Sequence, residues 1–205
     1  MLSPIETIQR AELLIDEHLN AIAYSKELIS AQIAQIAHSA AESLLDDGKI
    51  ITCGNGSTAL LSQLITSSLI DRFERERPGL PSICLANDFA FSSSLATENN
   101  FKDVFAKPIR AFAHENDLLI AFSQKGNCEN IYHAIQAAHE KGMTVALFTS
   151  TQASGSLLQE NLKESDYMLT VEHHTHNSRT TESLMLAINV LLDLVDCTIF
   201  GAPHD

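Results

Sequence analysis

The feature that most constrains the fold is the alternation, from Lys49 onward, of short apolar runs with stretches of helical periodicity. Strands that alternate with helices predict a parallel sheet with helices over both of its faces. The runs are apolar almost throughout, as strands buried on both faces require. The predicted strands are 50–53, 82–85, 118–122, 145–149 and 168–171, and the predicted helices are 59–74, 89–97, 104–113, 129–139, 156–164 and 180–200.

Two further helices are predicted ahead of the first strand. Ser3-Pro4-Ile5-Glu6 has the pattern of a capping box with proline at the first helical position, so a helix begins near Pro4. Apolar residues at helical spacing predict a second helix over 25–47, with Gly48 as its stop. These helices are more than an α/β core needs, so their apolar faces either bury against another copy of the chain or pack on their own domain.

The acidic composition limits the classes of partner. A formal net charge of −13 argues against direct duplex binding, because affinity for nucleic acid depends on clustered Lys and Arg. The four cysteines are far apart in sequence and favour reduced thiols over a zinc ribbon or a disulfide framework. No signal-peptide pattern and no apolar run of membrane-spanning length is found. We therefore expect a cytoplasmic protein with no direct contact to nucleic acid or membrane.

Two glycine-containing turns, after the first and third predicted strands, are candidates for an anion site. Glycines let the backbone turn sharply, hydroxyls at Ser57 and Thr58 can cap the following helix, and free N–H groups at a helix start attract phosphate. Ligands of open parallel sheets lie beyond the carboxyl ends of the strands, where both turns fall. The alternative is a pair of ordinary helix-capping turns. The candidate ligand-binding residues are Asn55, Gly56, Ser57, Ser123, Lys125 and Asn127.

Two other sites are disfavoured by spacing. Gly54-x-Gly56-x-x-Ala59 loosely matches a dinucleotide fingerprint, but the acidic ribose partner that such sites have about twenty residues further on is not found. His173-His174-x-His176 suggests a metal, yet no carboxylate or thiolate stands at a ligand-like interval, so a solvated loop is the better interpretation. We expect no metal and no cofactor.

The end of the last predicted helix carries an apolar face up to Ile199 and Phe200, where Gly201-Ala202-Pro203 stops it. Such a face is usually buried in its own domain. An exposed aromatic residue near a chain end is also a common anchor for a protein partner, so this pair is a candidate contact site.

The sequence resembles the sugar isomerase (SIS) domain family, in particular its phosphoheptose isomerase group. The resemblance spans almost the whole chain and implies a three-layer αβα sandwich of the flavodoxin-like kind. It also implies one domain over 1–205 and a homotetramer built partly by helices within 1–48. The motifs that carry it are Cys53-Gly54-Asn55-Gly56-Ser57, the stretch 72–78, Ser123-x-x-Gly126-Asn127, Glu140-Lys141-Gly142-Met143 and Arg179-x-x-Glu182.

The same resemblance gives a test for catalysis. Isomerases of this group bind zinc and transfer a proton with a His and a Glu on the helix after the first turn and a Gln and a His on the last helix. The corresponding residues here are Leu64, Ser68, Thr181 and Asn189, none of which is a strong metal ligand or a base near neutral pH. We therefore expect no isomerase activity.

These departures resemble a non-enzymatic branch of the group, the proteins that associate with the replication initiator DnaA. The branch shares Asn189, a cation at position 125 and the ending Asp193-Leu194-x-Asp196-x-Thr198-Ile199-Phe200. The resemblance implies that Ile199 and Phe200 contact the initiator, with Ile in place of Leu.

Two rival functions stay open at this point. The first is a sugar-phosphate isomerase for sedoheptulose 7-phosphate with an unfamiliar base, for which Glu98, His114 and Glu182 are the candidates. The second is a phosphosugar sensor, in which the two turns bind a ligand that tunes the adapter.

Overall fold

The computed structural model describes residues 3–172 and 177–202. A five-stranded parallel sheet has the strand order β2-β1-β3-β4-β5. The strands are β1 (Ile50–Cys53), β2 (Ser82–Cys84), β3 (Leu118–Phe122), β4 (Thr144–Ser150) and β5 (Tyr167–Val171). The helices are α1 (Pro4–Leu45), α2 (Ser57–Ile70), α3 (Phe89–Thr97), α4 (Ala106–Phe112), α5 (Glu129–Glu140), α6 (Leu157–Glu160) and α7 (Asn177–Phe200). The predicted α/β sheet is confirmed, and each predicted strand lies within one residue of the observed one.

The strands are apolar on both sides because each face of the sheet packs into its own core. Ile120 and Phe122 of β3 face one cluster, which α1, α2 and α7 cover. Leu119 and Ala121 of the same strand face the opposite cluster, which α3, α4 and α5 cover. Phe122 packs against Phe148 of β4 with ring centroids 5.0 Å apart. The chain therefore has three layers, with the sheet in the middle.

The amino-terminal region differs from the prediction, because α1 is one continuous helix of 42 residues instead of two. Its start was predicted: Ser3 and Glu6 form both hydrogen bonds of the capping box. The expected break near residue 24 is absent because neither glycine nor proline interrupts the helical residues there. At 1.5 Å per residue, the helix is about 63 Å long.

The carboxyl half of α1 packs on the sheet, whereas its amino half does not. Ile29, Ile33 and Ile36 are buried. By contrast, Ile8 and Leu19 each leave 60% of their surface exposed, although both lie on an apolar face. Among the described residues, nothing in the same chain covers this face. Of the two alternatives that the sequence leaves open, packing on the same domain therefore does not account for this face.

The other corrections are local. The helix predicted over 156–164 is only α6, four residues long. It stops because Asn161 bonds back to the carbonyl of Leu157, while the Asp166 carboxylate accepts the backbone N–H of Lys163 and fixes a turn. By length and composition α7 is apolar enough to cross a membrane. Its buried residues belong to the core beside α1 and α2, which is typical of the core helix of an α/β protein.

A buried ion pair joins the loop after α2 to α7. The Arg77 Nε donates to Asp196 Oδ1 at 2.9 Å, and both side chains are at most 2% exposed. The same guanidinium donates to the carbonyls of Ser68 and Leu69 at 2.8 and 2.7 Å, which are among the last carbonyls of α2. One side chain thus caps a helix end and pairs with one oxygen of a buried carboxylate.

We expect Arg77→Ala to destabilise the fold by about 3–5 kcal/mol, because it leaves Asp196 buried and unpaired. Urea unfolding followed by circular dichroism measures the change. Arg72→Ala is the matched control, since Arg72 is exposed and pairs with an exposed Glu76; its effect should stay within about 0.5 kcal/mol. Equal losses for both variants would contradict the role of the buried pair.

We also expect the exposed face of α1 to hold copies of the chain together. Ile8→Glu combined with Ile15→Glu places two charges on that face, so the protein should shift from a mass four times 22.4 kDa to a smaller species. Light scattering after size exclusion gives the mass. Gln9→Glu with Asn20→Glu adds the same charge at exposed polar positions and should leave the mass unchanged.

Candidate functional site

The two predicted turns meet at the carboxyl ends of β1 and β3, where the strand order of the sheet reverses. Asn55 follows β1, and Asn130 lies in the first turn of α5. Each side-chain amide donates to the other, at 3.0 and 2.8 Å. This reciprocal pair joins the turns, and we call the region formed by residues 54–58 and 123–128 the anion site.

The first turn uses its glycines for two different reasons. A Cβ on Gly54 would lie 2.6 Å from the Thr58 carbonyl oxygen, so no side chain fits there. Gly56 has φ +56°, which a side chain would strain. The predicted cap is only partly correct: Gly56 is the N-cap residue, and the Thr58 hydroxyl bonds back to Asn55 instead. Ser57 is exposed beside this turn, and its hydroxyl lies 3.5 Å from the Thr181 hydroxyl of α7.

The second turn is held by its own serine. The Ser123 hydroxyl accepts from the Gly126 N–H at 3.2 Å and donates to Cys128 Sγ at 3.3 Å. Its carbonyl accepts from the Thr149 hydroxyl at 2.6 Å. Ser123 is 2% exposed, so its predicted ligand contact would need the turn to open.

Two of the remaining residues of this turn make contacts with other elements, and one has a side chain that is only exposed to solvent. Asn127 Oδ1 accepts the backbone N–H of Leu157, at 3.3 Å, and thereby fastens the turn to the start of α6. Gln124 Nε2 donates to the Thr181 hydroxyl of α7 at 2.8 Å. The Lys125 side chain is exposed. The predicted residues therefore do share one region, in which the side chains of Ser57, Lys125 and Asn127 are exposed.

Sequence analysis missed two contacts that build this region. The Asn55–Asn130 pair spans 75 residues and the Gln124–Thr181 bond spans 57, so neither follows from a local pattern. A signal for Asn130 did exist, because it is a polar residue at a buried helical position, 7% exposed.

The four positions that the resemblance assigns to zinc and proton transfer do not fit that chemistry. Leu64 packs against the core. The Thr181 hydroxyl already pairs with Gln124, and Asn189 is half-buried on α7. A hydrocarbon, two hydroxyls and an amide offer neither a zinc ligand set nor a general base. Among the described residues, no three His, Cys, Asp or Glu side chains form a metal-binding group; His173, His174 and His176 lie outside them.

The candidate bases of the rival hypothesis are scattered. His114 precedes β3 and so lies at the opposite edge of the sheet from the anion site. Glu98 is exposed at the end of α3. Glu182 follows Thr181, but its carboxylate pairs with Arg179 and with His18 of α1. Burial raises the pKa of the Cys53 thiol, so this neighbour of the turn is a core residue and a poor nucleophile.

The carboxyl end of α7 holds the candidate partner contacts. Ile199 packs against the core and is half-buried. Phe200 is also half-buried, with the guanidinium carbon of Arg75 5.8 Å from its ring centroid. The pair therefore combines a seated aliphatic side chain with an aromatic ring that is partly open to solvent.

The sequence model that describes the SIS domain matches residues 15–150, about two thirds of the chain. The chain belongs to the SIS domain family. The shared region runs from α1 through β4 and includes both turns of the anion site. The resemblance stated from the motifs is confirmed.

Two kinds of curated relative cover almost the whole chain. The phosphoheptose isomerase of Halorhodospira halophila is 38% identical over 200 residues, 97% of this chain and 99% of that protein. The DnaA initiator-associating protein DiaA of Salmonella paratyphi B is 34% identical over 197 residues, 96% of this chain and 98% of that protein. Because the two identities are so close, overall similarity does not choose between an enzyme and an initiator-associating protein.

Solved structures agree on the fold. The phosphoheptose isomerase GmhA of Neisseria gonorrhoeae superimposes with a TM-score of 0.85 at 27% identity, covering 93% of this chain and 99% of that one. The phosphoheptose isomerase of Francisella tularensis gives 0.86 at 30% identity, covering 93% and 98%. The three-layer arrangement is thus the family's, and the individual site residues carry the functional argument.

Proposed function

We propose that this chain is a non-enzymatic adapter that binds the replication initiator DnaA and promotes its assembly at the chromosomal origin. The observation that carries the proposal is the replacement of all four zinc and proton-transfer positions by Leu64, Ser68, Thr181 and Asn189. One such change can be compensated by a neighbour; four remove the ligands, the acid and the base together. The choice of DnaA as the partner follows the relatives that are named DnaA initiator-associating protein DiaA.

The structural setting of these positions supports the proposal. Leu64 is half-buried and packs against the core, and the backbone carbonyl of Ser68 accepts from Arg77 at the end of α2. Thr181 ties α7 to the second turn through Gln124. Leu64 and Thr181 thus make structural contacts, and none of the four side chains is a strong zinc ligand or a base.

The proposed partner contacts are Ile199 and Phe200, and the proposed mechanism is multivalency. The chain acts in the cytoplasm as a homotetramer joined partly by α1, whose uncovered apolar face supports this assembly. Four linked sites hold neighbouring initiator molecules at high effective concentration, so assembly is favoured without direct contact between the adapter and DNA. The charge of −13 agrees with this indirect route.

A phosphosugar sensor is the second candidate, and one observation favours it. The two turns remain joined at the crevice where α/β proteins bind ligands, and exposed Ser57 and Lys125 side chains flank it. A phosphosugar bound there would contact the start of α2 and the second turn together. Such a ligand would be held without being converted.

We expect Phe200→Ala to lose retention of the initiator in a pulldown with immobilised protein, because an aromatic anchor contributes most of its energy through its ring. Phe89→Ala is the matched control: Phe89 is 83% exposed and lies on α3, so its loss should not change retention. Circular dichroism melting curves of both variants verify folding. Equal retention by wild type and Phe200→Ala would contradict the proposed contact site.

We expect the purified protein to show no turnover of sedoheptulose 7-phosphate and no stoichiometric zinc. The positive control for zinc is the quadruple variant Leu64→His, Ser68→Glu, Thr181→Gln and Asn189→His, which restores the ligand types of the isomerases. Turnover by the wild-type protein with bound metal would contradict the proposal that it is a non-enzymatic adapter. Titration calorimetry with the same sugar then distinguishes the phosphosugar sensor from an adapter that binds no sugar. Heat of binding without turnover supports the sensor, and a flat trace excludes it for this sugar.

A further inference from the structure

Arg75 makes three contacts with the carboxyl end of α7. Its Nη1 donates to the carbonyl of Gly201 at 2.6 Å, and its Nη2 donates to the carbonyl of Phe200 at 3.5 Å. The guanidinium also lies over the Phe200 ring, with its carbon 5.8 Å from the centroid. One side chain therefore holds both the backbone and the ring of the residue that is proposed to contact the partner.

The end of α7 needs such a cap. Its last turn has no basic residue of its own, although a helix carboxyl end carries partial negative charge and unpaired carbonyls. Gly201 adopts φ +83° and returns its N–H to the Cys197 carbonyl at 3.0 Å, which closes the helix in the usual left-handed manner. The carbonyls of Phe200 and Gly201 lie beyond the reach of that bond, and Arg75 satisfies them.

The backbone around Arg75 is itself fixed. Glu74 has φ +51°, and the Arg75 N–H donates to the Phe73 carbonyl at 2.6 Å, so residues 73–75 form a tight turn. Phe73 packs against the core, and Arg77 is locked by its buried pair with Asp196. Along residues 72–78 the odd positions are half-buried and the even ones exposed, so Phe73, Arg75 and Arg77 share the side that faces the protein.

We propose that Arg75 is a positioning residue for partner binding: it fixes the last turn of α7 and orients the Phe200 ring before the partner arrives. This inference rests on the proposed function. A ring held in its bound orientation loses less conformational entropy on association, so the cap strengthens binding without touching the partner. The guanidinium covers part of the ring and leaves the rest available.

The loop offers a matched control. Arg72 carries the same charge three residues earlier, but its side chain is 54% exposed and pairs with Glu76. Arg72→Ala and Arg75→Ala therefore change net charge equally, and only the second removes the cap of α7. Arg75→Lys keeps the charge but lacks the planar fork that reaches two carbonyls and stacks on a ring.

The test measures affinity for the initiator and the order of position 200 in the full-length protein. Arg75→Ala should weaken binding by about tenfold, Arg75→Lys by less, and Arg72→Ala should not change it. Because the chain contains no tryptophan, Phe200→Trp provides a single fluorescent reporter. In that background Arg75→Ala should increase acrylamide quenching of the indole, and Arg72→Ala should not.

The outcomes separate this inference from the proposed function. If Phe200→Ala binds the initiator as wild type does, the proposed partner site is wrong and the role of Arg75 is wrong with it. If Phe200→Ala weakens binding while Arg75→Ala does not, the partner site stands and the positioning role is wrong. Weaker binding by Arg75→Ala with unchanged quenching would make Arg75 a direct contact and would also overturn the proposal.

Discussion

Burial of the parallel sheet on both faces is the constraint on which the rest of the structure depends. Each strand places alternate side chains into two separate cores, so helices must cover both faces of the sheet. Because the strands are parallel, each connection must return from the carboxyl end of one strand to the amino end of the next. The crossovers place the turns after β1 and β3 next to each other, and α7 packs into one of the two cores. Thr181 lies near its start beside the anion site, and Phe200 lies about 29 Å away at its end.

Long-range polar contacts then stabilise the helix ends and turns that lie outside the two apolar cores. Arg77 satisfies the end of α2 and pairs with Asp196, Arg75 satisfies the end of α7, and Asn55 pairs with Asn130 between the two turns. Each contact connects segments that the hydrophobic effect brings near but does not orient. The carboxyl end of α7 is therefore ordered by a loop more than a hundred residues earlier in the chain.

The strands and the adjacency of the two turns could be predicted because they follow from periodicity and from the topology of parallel sheets. Helix α3 was predicted residue for residue, since Asp88 provides a local cap that bonds to the Phe91 N–H. The single long α1 differs from the two helices predicted there, because neither glycine nor proline interrupts the helical residues between them. The pairs Asn55–Asn130 and Arg75–Phe200 were out of reach, since no local pattern encodes contacts between residues so far apart in sequence.

The reciprocal amide pair between Asn55 and Asn130 has a consequence for how such a protein evolves. Because each amide satisfies the other and Ser123 satisfies its own turn, contacts within the chain hold the two turns together. The four positions that the resemblance assigns to zinc and proton transfer take no part in these bonds, so a substitution at one of them can change the chemistry without opening the turns. In a protein of this architecture, the chemistry of the site and the stability of the fold can therefore change independently.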